Sequence, residues 1–132
     1  MILVDTNVLF DIVTDGGEWF EWSSTRLDAA ALAGPIAIND VIFAELSVRH
    51  ATLEALEDMV AEMGLQILAM SKPALFLAGK AFARYRRAGG MRTSMLPDFF
   101  IGAQASVLDV PLLTRDARRY RTYFPQLQVI AP

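Results

Sequence analysis

The chain has 132 residues, 54% of them hydrophobic, and its mean hydropathy of +0.34 is high for a small soluble domain. Cysteine is absent and His50 is the single histidine, which excludes a disulfide framework and a thiolate or imidazole zinc site, so any metal must be held by oxygen. We expect residues 1–132 to form one domain, and without a long apolar run or cleavable leader we expect a cytoplasmic protein with no membrane segment.

The two halves of the chain carry opposite charge, although the net charge is only −3. Residues 1–63 hold twelve acidic and two basic side chains, a net of −10, whereas residues 64–132 hold ten basic and three acidic ones, a net of +7. Guanidinium groups match phosphate oxygens, so the basic half suits an anionic polymer, and the alternative is a solvated helical face. The candidate contacts to such a polymer are Arg84, Arg87, Arg92 and Arg115.

Strands and helices alternate along the first half of the chain. The predicted elements are a strand at 2–4, a helix capped within Asp5-Thr6-Asn7, a strand at 35–38, a helix capped by Asn39 or Asp40, and a helix from Thr52 to Gly64. Short aliphatic runs predict buried strands, and polar residues directly after them can accept the first backbone N–H groups of a helix. Two strand-helix units therefore open the chain.

The same alternation continues in the second half. The predicted elements are a strand at 65–68, a helix from Pro73 to the Gly89-Gly90 break, a helix from Phe99 to Leu108, a strand at 111–114, a short helix from Asp116 and an edge strand at 128–130. Strands that alternate with helices imply right-handed crossovers. The sequence therefore predicts an α/β fold, a three-layer α/β/α sandwich with a mainly parallel central sheet.

Four acidic residues stand at positions that call for an explanation. Asp5 and Asp116 follow predicted strands, so both should lie at the carboxyl edge of the sheet, where ligands bind in such folds. Asp98 precedes the apolar stretch 99–103, where a lone carboxylate costs free energy unless it is paired. Glu45 falls on the apolar stripe of its predicted helix. We therefore expect these carboxylates to converge.

Each of these acids also has a structural interpretation. Asp5, Asp98 and Asp116 stand where helix N-caps commonly stand, and Glu45 could pair with a buried arginine or lie at the rim of its stripe. Taken together, with no basic partner beside them in sequence, they indicate a shared site neutralised by Mg²⁺ or Mn²⁺. Such an ion acidifies water, which makes phosphodiester hydrolysis the natural reaction.

Four segments of the chain resemble the PIN domain family. They are Asp5-Thr6-Asn7-Val8-Leu9, Phe43-Ala44-Glu45-Leu46, Pro97-Asp98-Phe99-Phe100-Ile101-Gly102-Ala103 and Leu113-Thr114-Arg115-Asp116. Their order and spacing are similar to those of the VapC toxins of bacterial type II toxin-antitoxin pairs, over essentially the whole chain. The resemblance implies an acidic metal-binding and catalytic quartet with two polar supporting residues. The quartet is Asp5, Glu45, Asp98 and Asp116, and the supporting residues are Thr114 and Asn7.

The resemblance also implies an activity and partners. It implies an endoribonuclease that depends on Mg²⁺ or Mn²⁺, is neutralised by a cognate VapB-like antitoxin, and forms a homodimer. Trp19-Phe20-Glu21-Trp22 is a candidate partner surface, because two tryptophans beside acidic residues suit an interface; the alternative is a core helix.

Two rival functions have their own signatures. A phosphatase with an aspartyl nucleophile at Asp5 usually has a second aspartate two residues later, where this chain has Asn7. The other rival is a non-catalytic interaction module that keeps the fold and the antitoxin-binding surface. Such a module would bind neither magnesium nor manganese, so metal titration distinguishes it from an enzyme.

Overall fold

The computed structural model describes residues 1–14 and 16–132, and the strands within these ranges form one parallel sheet. The strands are β1 (Ile2–Val4), β2 (Ile36–Asn39), β3 (Leu65–Leu68), β4 (Leu112–Leu113) and β5 (Val129–Ile130). The sheet has the order β3-β2-β1-β4-β5, and every neighbouring pair is parallel. The predicted mainly parallel sheet is confirmed, with the last strand at its edge.

Helices cover both faces of this sheet. They are α1 (Thr6–Val13), α2 (Phe20–Ala33), α3 (Asp40–Ser47), α4 (Leu53–Glu62), α5 (Lys72–Arg87), α6 (Leu96–Leu108) and α7 (Arg118–Tyr123), with a 3-10 turn at Thr93–Met95. The helix α1 packs against α2 and α3, and α3 packs against α4, while α6 packs against both α5 and α7. The predicted three-layer α/β/α sandwich is confirmed. In the described part of the chain, none of the helices combines the length and hydropathy needed to span a bilayer.

Three predicted helix starts are confirmed by side-chain capping. Asp5 accepts from the backbone N–H of Thr6 at 2.7 Å, Asn39 caps α3, and Thr52 caps α4. The helix α4 is followed by Gly64, whose φ of +68° is the left-handed conformation that glycine adopts without strain.

Three helices differ from the prediction. The helix α6 begins at Leu96 rather than Phe99, because Pro97 needs no N–H partner and fits the first helical turn. The helix α7 begins at Arg118 rather than Asp116. The helix α2 has no predicted bounds, and a core helix was only the alternative for Trp19-Phe20-Glu21-Trp22 at its start. Only Ser23 and Leu27 of its fourteen residues are buried, so no apolar stripe marks it.

The central strand β1 determines where a ligand site can form. Leu3 pairs with Ala37 on one side and with Leu112 on the other. The chain moves outward from β1 to β2 and β3 and then returns to place β4 on the opposite side of β1. Such a reversal leaves a crevice at the carboxyl ends of the two central strands. Asp5 lies at this point, and its N–H donates to the carbonyl of Leu113 at 2.9 Å.

Candidate active site

Asp5 is the buried centre of the candidate site, with 4% of its surface exposed. Its Oδ2 atom accepts hydrogen bonds from the hydroxyl of Thr114 at 2.8 Å, the phenol of Tyr120 at 2.9 Å and the amide of Asn7 at 3.4 Å. Its Oδ1 atom accepts from the N–H of Thr6 at 2.7 Å. Burial raises the pKa of Asp5, against the lowering effect of the donors Thr114, Tyr120 and Thr6. Asp5 is therefore both a helix cap and a buried acid that accepts four hydrogen bonds.

Thr114 and Asn7 connect the loop after β4 to Asp5. The Thr114 hydroxyl accepts from the Asn7 amide at 3.2 Å and from the N–H of Asp116 at 3.1 Å. The Asn7 carbonyl oxygen accepts from the N–H of Arg115 at 3.1 Å. These bonds fix the backbone that carries Asp116 beside the end of β1, so both predicted supporting residues lie at the site.

Glu45 projects from α3 toward the same crevice. Its Oε1 atom accepts from the Thr6 hydroxyl at 2.6 Å. Burial is the main cause that raises the pKa of Glu45, and the negative charge of Asp5 raises it further. The sequence indicates Thr6 only as part of a helix start, and nothing in its spacing predicts this contact with Glu45, 39 residues away. Among the described residues no ion pair involves Glu45, so the arginine partner considered above is not seen.

Asp98 lies in the first turn of α6, and its carboxylate pairs with the guanidinium of Arg119 on α7. Burial first, and then the charge of Asp5, raises the pKa of Asp98 to about 7 even though Arg119 lowers it. Glu45 and Asp116 add smaller contributions in the same direction. No basic partner stands beside Asp98 in sequence, and the one that it has in the fold, Arg119, reaches it from another helix.

Electrostatic interaction links the four predicted acids, because the charges of Asp5, Glu45 and Asp116 each raise the pKa of Asp98. Asp116 is exposed and its side chain does not cap α7, yet its charge raises the pKa of both Asp5 and Asp98. Because like charges oppose one another's ionisation, a cation among these carboxylates would lower the free energy needed to ionise them. The pKa shifts of Asp5, Glu45 and Asp98 all lie in the direction that a cation would reverse.

The donor atoms fit a hard cation, although they are not arranged around one. In residues 1–14 and 16–132, no three acidic or imidazole side chains surround a common point as metal ligands do. The carboxylate of Asp98 faces Arg119, and Oδ2 of Asp5 is occupied by three donors. The set nevertheless consists of carboxylate oxygens, which magnesium and manganese prefer.

Among the predicted phosphate-binding arginines, the side chains of Arg84 and Arg115 bond to groups other than the site carboxylates. The Nε atom of Arg115 donates to Asp11 at 2.6 Å, and its guanidinium lies 5.4 Å from the ring centre of Trp19. Arg84 donates to a main-chain carbonyl on α7, while Arg87 and Arg92 are exposed. Within the described ranges none of the four forms an ion pair with a site carboxylate.

The predicted tryptophan surface is part of α2 and the turn before it. Trp19 and Trp22 are both half-buried, and their rings meet edge to face with centres 6.0 Å apart. Trp22 packs against the core, while Glu18 and Glu21 beside the pair are exposed. The segment therefore combines a core contact with an accessible aromatic edge.

The comparison with known families identifies the chain. Residues 2–125 match the PIN domain family. The chain belongs to this family. PIN domains are generally nucleases that use divalent metals, which agrees with a carboxylate cluster at the carboxyl edge of a parallel sheet. No curated protein matches the chain in sequence.

Solved structures with the same fold include a member of the VapBC family of toxin-antitoxin systems from Mycobacterium tuberculosis. VapBC2 of Rickettsia felis bound to promoter DNA has a TM-score of 0.76 at 19% identity, covering 100% of this chain and 99% of that one. FitAcB of Neisseria gonorrhoeae has a TM-score of 0.72 at 19% identity, covering 98% and 96%. DNA-bound VapBC of Salmonella typhimurium has a TM-score of 0.73 at 18% identity, covering 98% and 96%. These similarities extend over the full PIN fold.

Proposed function

We propose that residues 1–132 form a single PIN domain that acts as a cytoplasmic, metal-dependent endoribonuclease, the VapC-like toxin of a type II toxin-antitoxin pair. The observation that carries the proposal is the set of Asp5, Glu45, Asp98 and Asp116 at the crevice between β1 and β4. The charge of Asp5 raises the pKa of Glu45 and Asp98, and the charge of Asp116 raises the pKa of Asp5 and Asp98. The resemblance of the four motifs to VapC toxins, and the toxin-antitoxin origin of the structural neighbours, support the toxin role.

The proposed cofactor is Mg²⁺ or Mn²⁺, held by the four carboxylates. When bound, such an ion supplies a water molecule of lowered pKa and positive charge beside the phosphate. The chain itself keeps Asp5 in one orientation through Thr114 and Thr6, and it anchors Glu45 through the Thr6 hydroxyl. These hydrogen bonds fix the carboxylates before substrate arrives, so little reorganisation is needed during the reaction.

The proposed substrate is RNA, which the protein would contact through the phosphate backbone. The arginines Arg84, Arg87, Arg92 and Arg115 are candidates for contacts that position the strand, and the first three are exposed. Because each phosphate contact releases counterions, binding should weaken as salt concentration rises.

The decisive experiment is incubation of the purified, antitoxin-free chain with a total RNA pool and magnesium or manganese. EDTA and the Asp98→Asn variant should each abolish cleavage, whereas Asp58→Asn, which alters an exposed aspartate on α4, should leave it intact. Sequencing of the fragment ends would then identify the target. Cleavage that persists in EDTA or in Asp98→Asn would contradict the carboxylate mechanism.

A second candidate function is a non-catalytic module that keeps the fold and an antitoxin-binding surface. The observation that favours it is the pairing of Arg119 with Asp98, together with the lack of a three-ligand arrangement in the described part of the chain. Titration with manganese separates the two functions, because the module would bind none. A folded chain that binds manganese but leaves the pool uncut would indicate a narrow RNA target.

The proposed partners are a VapB-like antitoxin and a second copy of the chain. Trp19 and Trp22 are the proposed antitoxin contact, because aromatic side chains with an acidic rim often carry binding energy. A folded Trp22→Ala variant should lose affinity for the antitoxin, and unchanged affinity would remove this surface from consideration. Light scattering of the isolated chain tests the homodimer.

A further inference from the structure

Tyr120 lies on α7, a helix that is otherwise rich in arginine, and its side chain is buried beside the candidate site. It has 2% of its surface exposed, whereas its neighbours on α7 include the exposed Arg118 and Arg121. A buried phenol requires a hydrogen-bond partner, and its hydroxyl donates to Oδ2 of Asp5 at 2.9 Å. The partner is thus an acid of the proposed cluster, 115 residues away in sequence.

The hydrogen bonds of Asp5 divide its two oxygens into different roles. Oδ2 accepts from Tyr120, from Thr114 and, at 3.4 Å, from Asn7, so three donors share the roughly two lone-pair sites of this oxygen. Oδ1 accepts one hydrogen bond among the described residues, from the N–H of Thr6. The oxygen that retains free acceptor capacity is therefore Oδ1.

The position of the Tyr120 ring is fixed by close packing. A side chain as small as methyl at Gly102 on α6 would approach the ring to 3.0 Å. Gly102 lies one helical turn after Asp98, so the same helix supports the ring and carries another acid of the cluster. The phenol consequently reaches Asp5 from a rigid support.

From these contacts we propose that Tyr120 is a positioning residue, whose hydroxyl holds Oδ2 of Asp5 and so presents Oδ1 to a divalent cation. The proposal rests on the metal-dependent function proposed above. Hydrogen bonds to a metal ligand, from residues that do not bind the metal themselves, orient that ligand and tune its basicity.

The test is direct measurement of Mn²⁺ affinity by calorimetry, without RNA, for the wild type and Tyr120→Phe. Phenylalanine keeps the buried ring and removes the hydroxyl, so we expect a folded protein that binds Mn²⁺ roughly 10- to 100-fold more weakly. Cleavage by the variant should recover at high metal concentration, with an unchanged KM for RNA. Tyr123→Phe is the matched control, because Tyr123 lies on the same helix and packs against Phe99 with ring centres 5.2 Å apart.

Two results would overturn the assignment in distinguishable ways. If Tyr120→Phe folds and binds Mn²⁺ as tightly as the wild type, Tyr120 serves packing alone while the proposed function stands. If the wild type binds no Mn²⁺, the proposed function fails and this inference fails with it.

If Tyr120→Phe does not fold, a measurement on the wild type still tests the proposal. In protein labelled with ¹³C-tyrosine, saturating Mg²⁺ should shift the phenol carbon of Tyr120 and leave that of Tyr123 in place. Metal binding with no shift at Tyr120 would overturn the proposal.

Discussion

Replacement of Arg119 by glutamine tests whether this arginine and a divalent cation compete for Asp98. The guanidinium of Arg119 pairs with the Asp98 carboxylate, and the two side chains are 22% and 27% exposed. Glutamine retains much of the length of the side chain but removes its charge. The metal-free protein should then hold an unpaired, mostly buried carboxylate whose ionisation Asp5, Glu45 and Asp116 already oppose.

The size of the effect follows from the partial burial of the pair. Opposite charges roughly 4 Å apart attract by about 4 kcal/mol at an effective dielectric constant of about 20. Solvent at both side chains screens this attraction, and the pKa of Asp98 is still raised to about 7 with Arg119 in place. We therefore expect Arg119→Gln to lower the free energy of unfolding of the metal-free protein by about 1–2 kcal/mol.

Saturating magnesium should reduce this loss, because the cation then supplies the positive charge that Arg119 supplied. By the thermodynamic cycle, the amount by which magnesium reduces this loss of stability equals the amount by which Arg119→Gln strengthens the free energy of magnesium binding. A difference of about 1.4 kcal/mol corresponds to tenfold tighter binding, so we expect magnesium to bind Arg119→Gln roughly 3- to 30-fold more tightly than the wild type.

Urea denaturation of the wild type and of Arg119→Gln, each with and without magnesium, measures the four free energies of unfolding in this cycle. Arg121→Gln is the control, because Arg121 is exposed on the same helix and forms no ion pair among the described residues. An equal loss of stability with and without magnesium, or weaker magnesium binding by Arg119→Gln, would refute the competition.

Three further predictions concern stability. Because burial, and next the charge of Asp5, raises the pKa of Asp98 from 3.8 to about 7, the metal-free fold retains a proton that the unfolded chain releases. Its free energy of unfolding should therefore fall as pH rises from about 4 to about 7, and a flat profile by urea denaturation would contradict this. Gly102→Ala places a Cβ atom 2.5 Å from the Phe124 ring and should cost about 1–3 kcal/mol in thermal unfolding. Asn39→Ala removes the buried cap of α3 and should cost about 1–2 kcal/mol, whereas unchanged stability would mean that water replaces it.

The parts of the fold that local patterns determine could be predicted from the sequence. The strand 2–4 and the strand 65–68 have the predicted bounds, and Asp5 and Thr52 cap the predicted helices. Each depends on a short apolar run or on a side chain that bonds the backbone within three residues. The helix α2 has no such signal, since most of its residues are exposed.

The contacts that complete the site depend on tertiary structure. Sequence placed Asp5 and Asp116 at strand ends, and the parallel sheet brings those ends together. The partners of the acids come from elements distant in sequence: Arg119 reaches Asp98 across 21 residues, and Tyr120 reaches Asp5 across 115. Neither lies within a local motif, so spacing could not assign them.

Arg119 and Tyr120 are adjacent on α7 but should affect metal binding in opposite directions. Arg119 supplies a positive charge that a cation must displace, so its removal should tighten binding. Tyr120 is neutral and holds an acid in place, so its removal should weaken binding. A general loosening of α7 would change affinity in the same direction for both variants. Opposite changes would therefore show that the last helix acts through the two contacts themselves, one to Asp98 and one to Asp5.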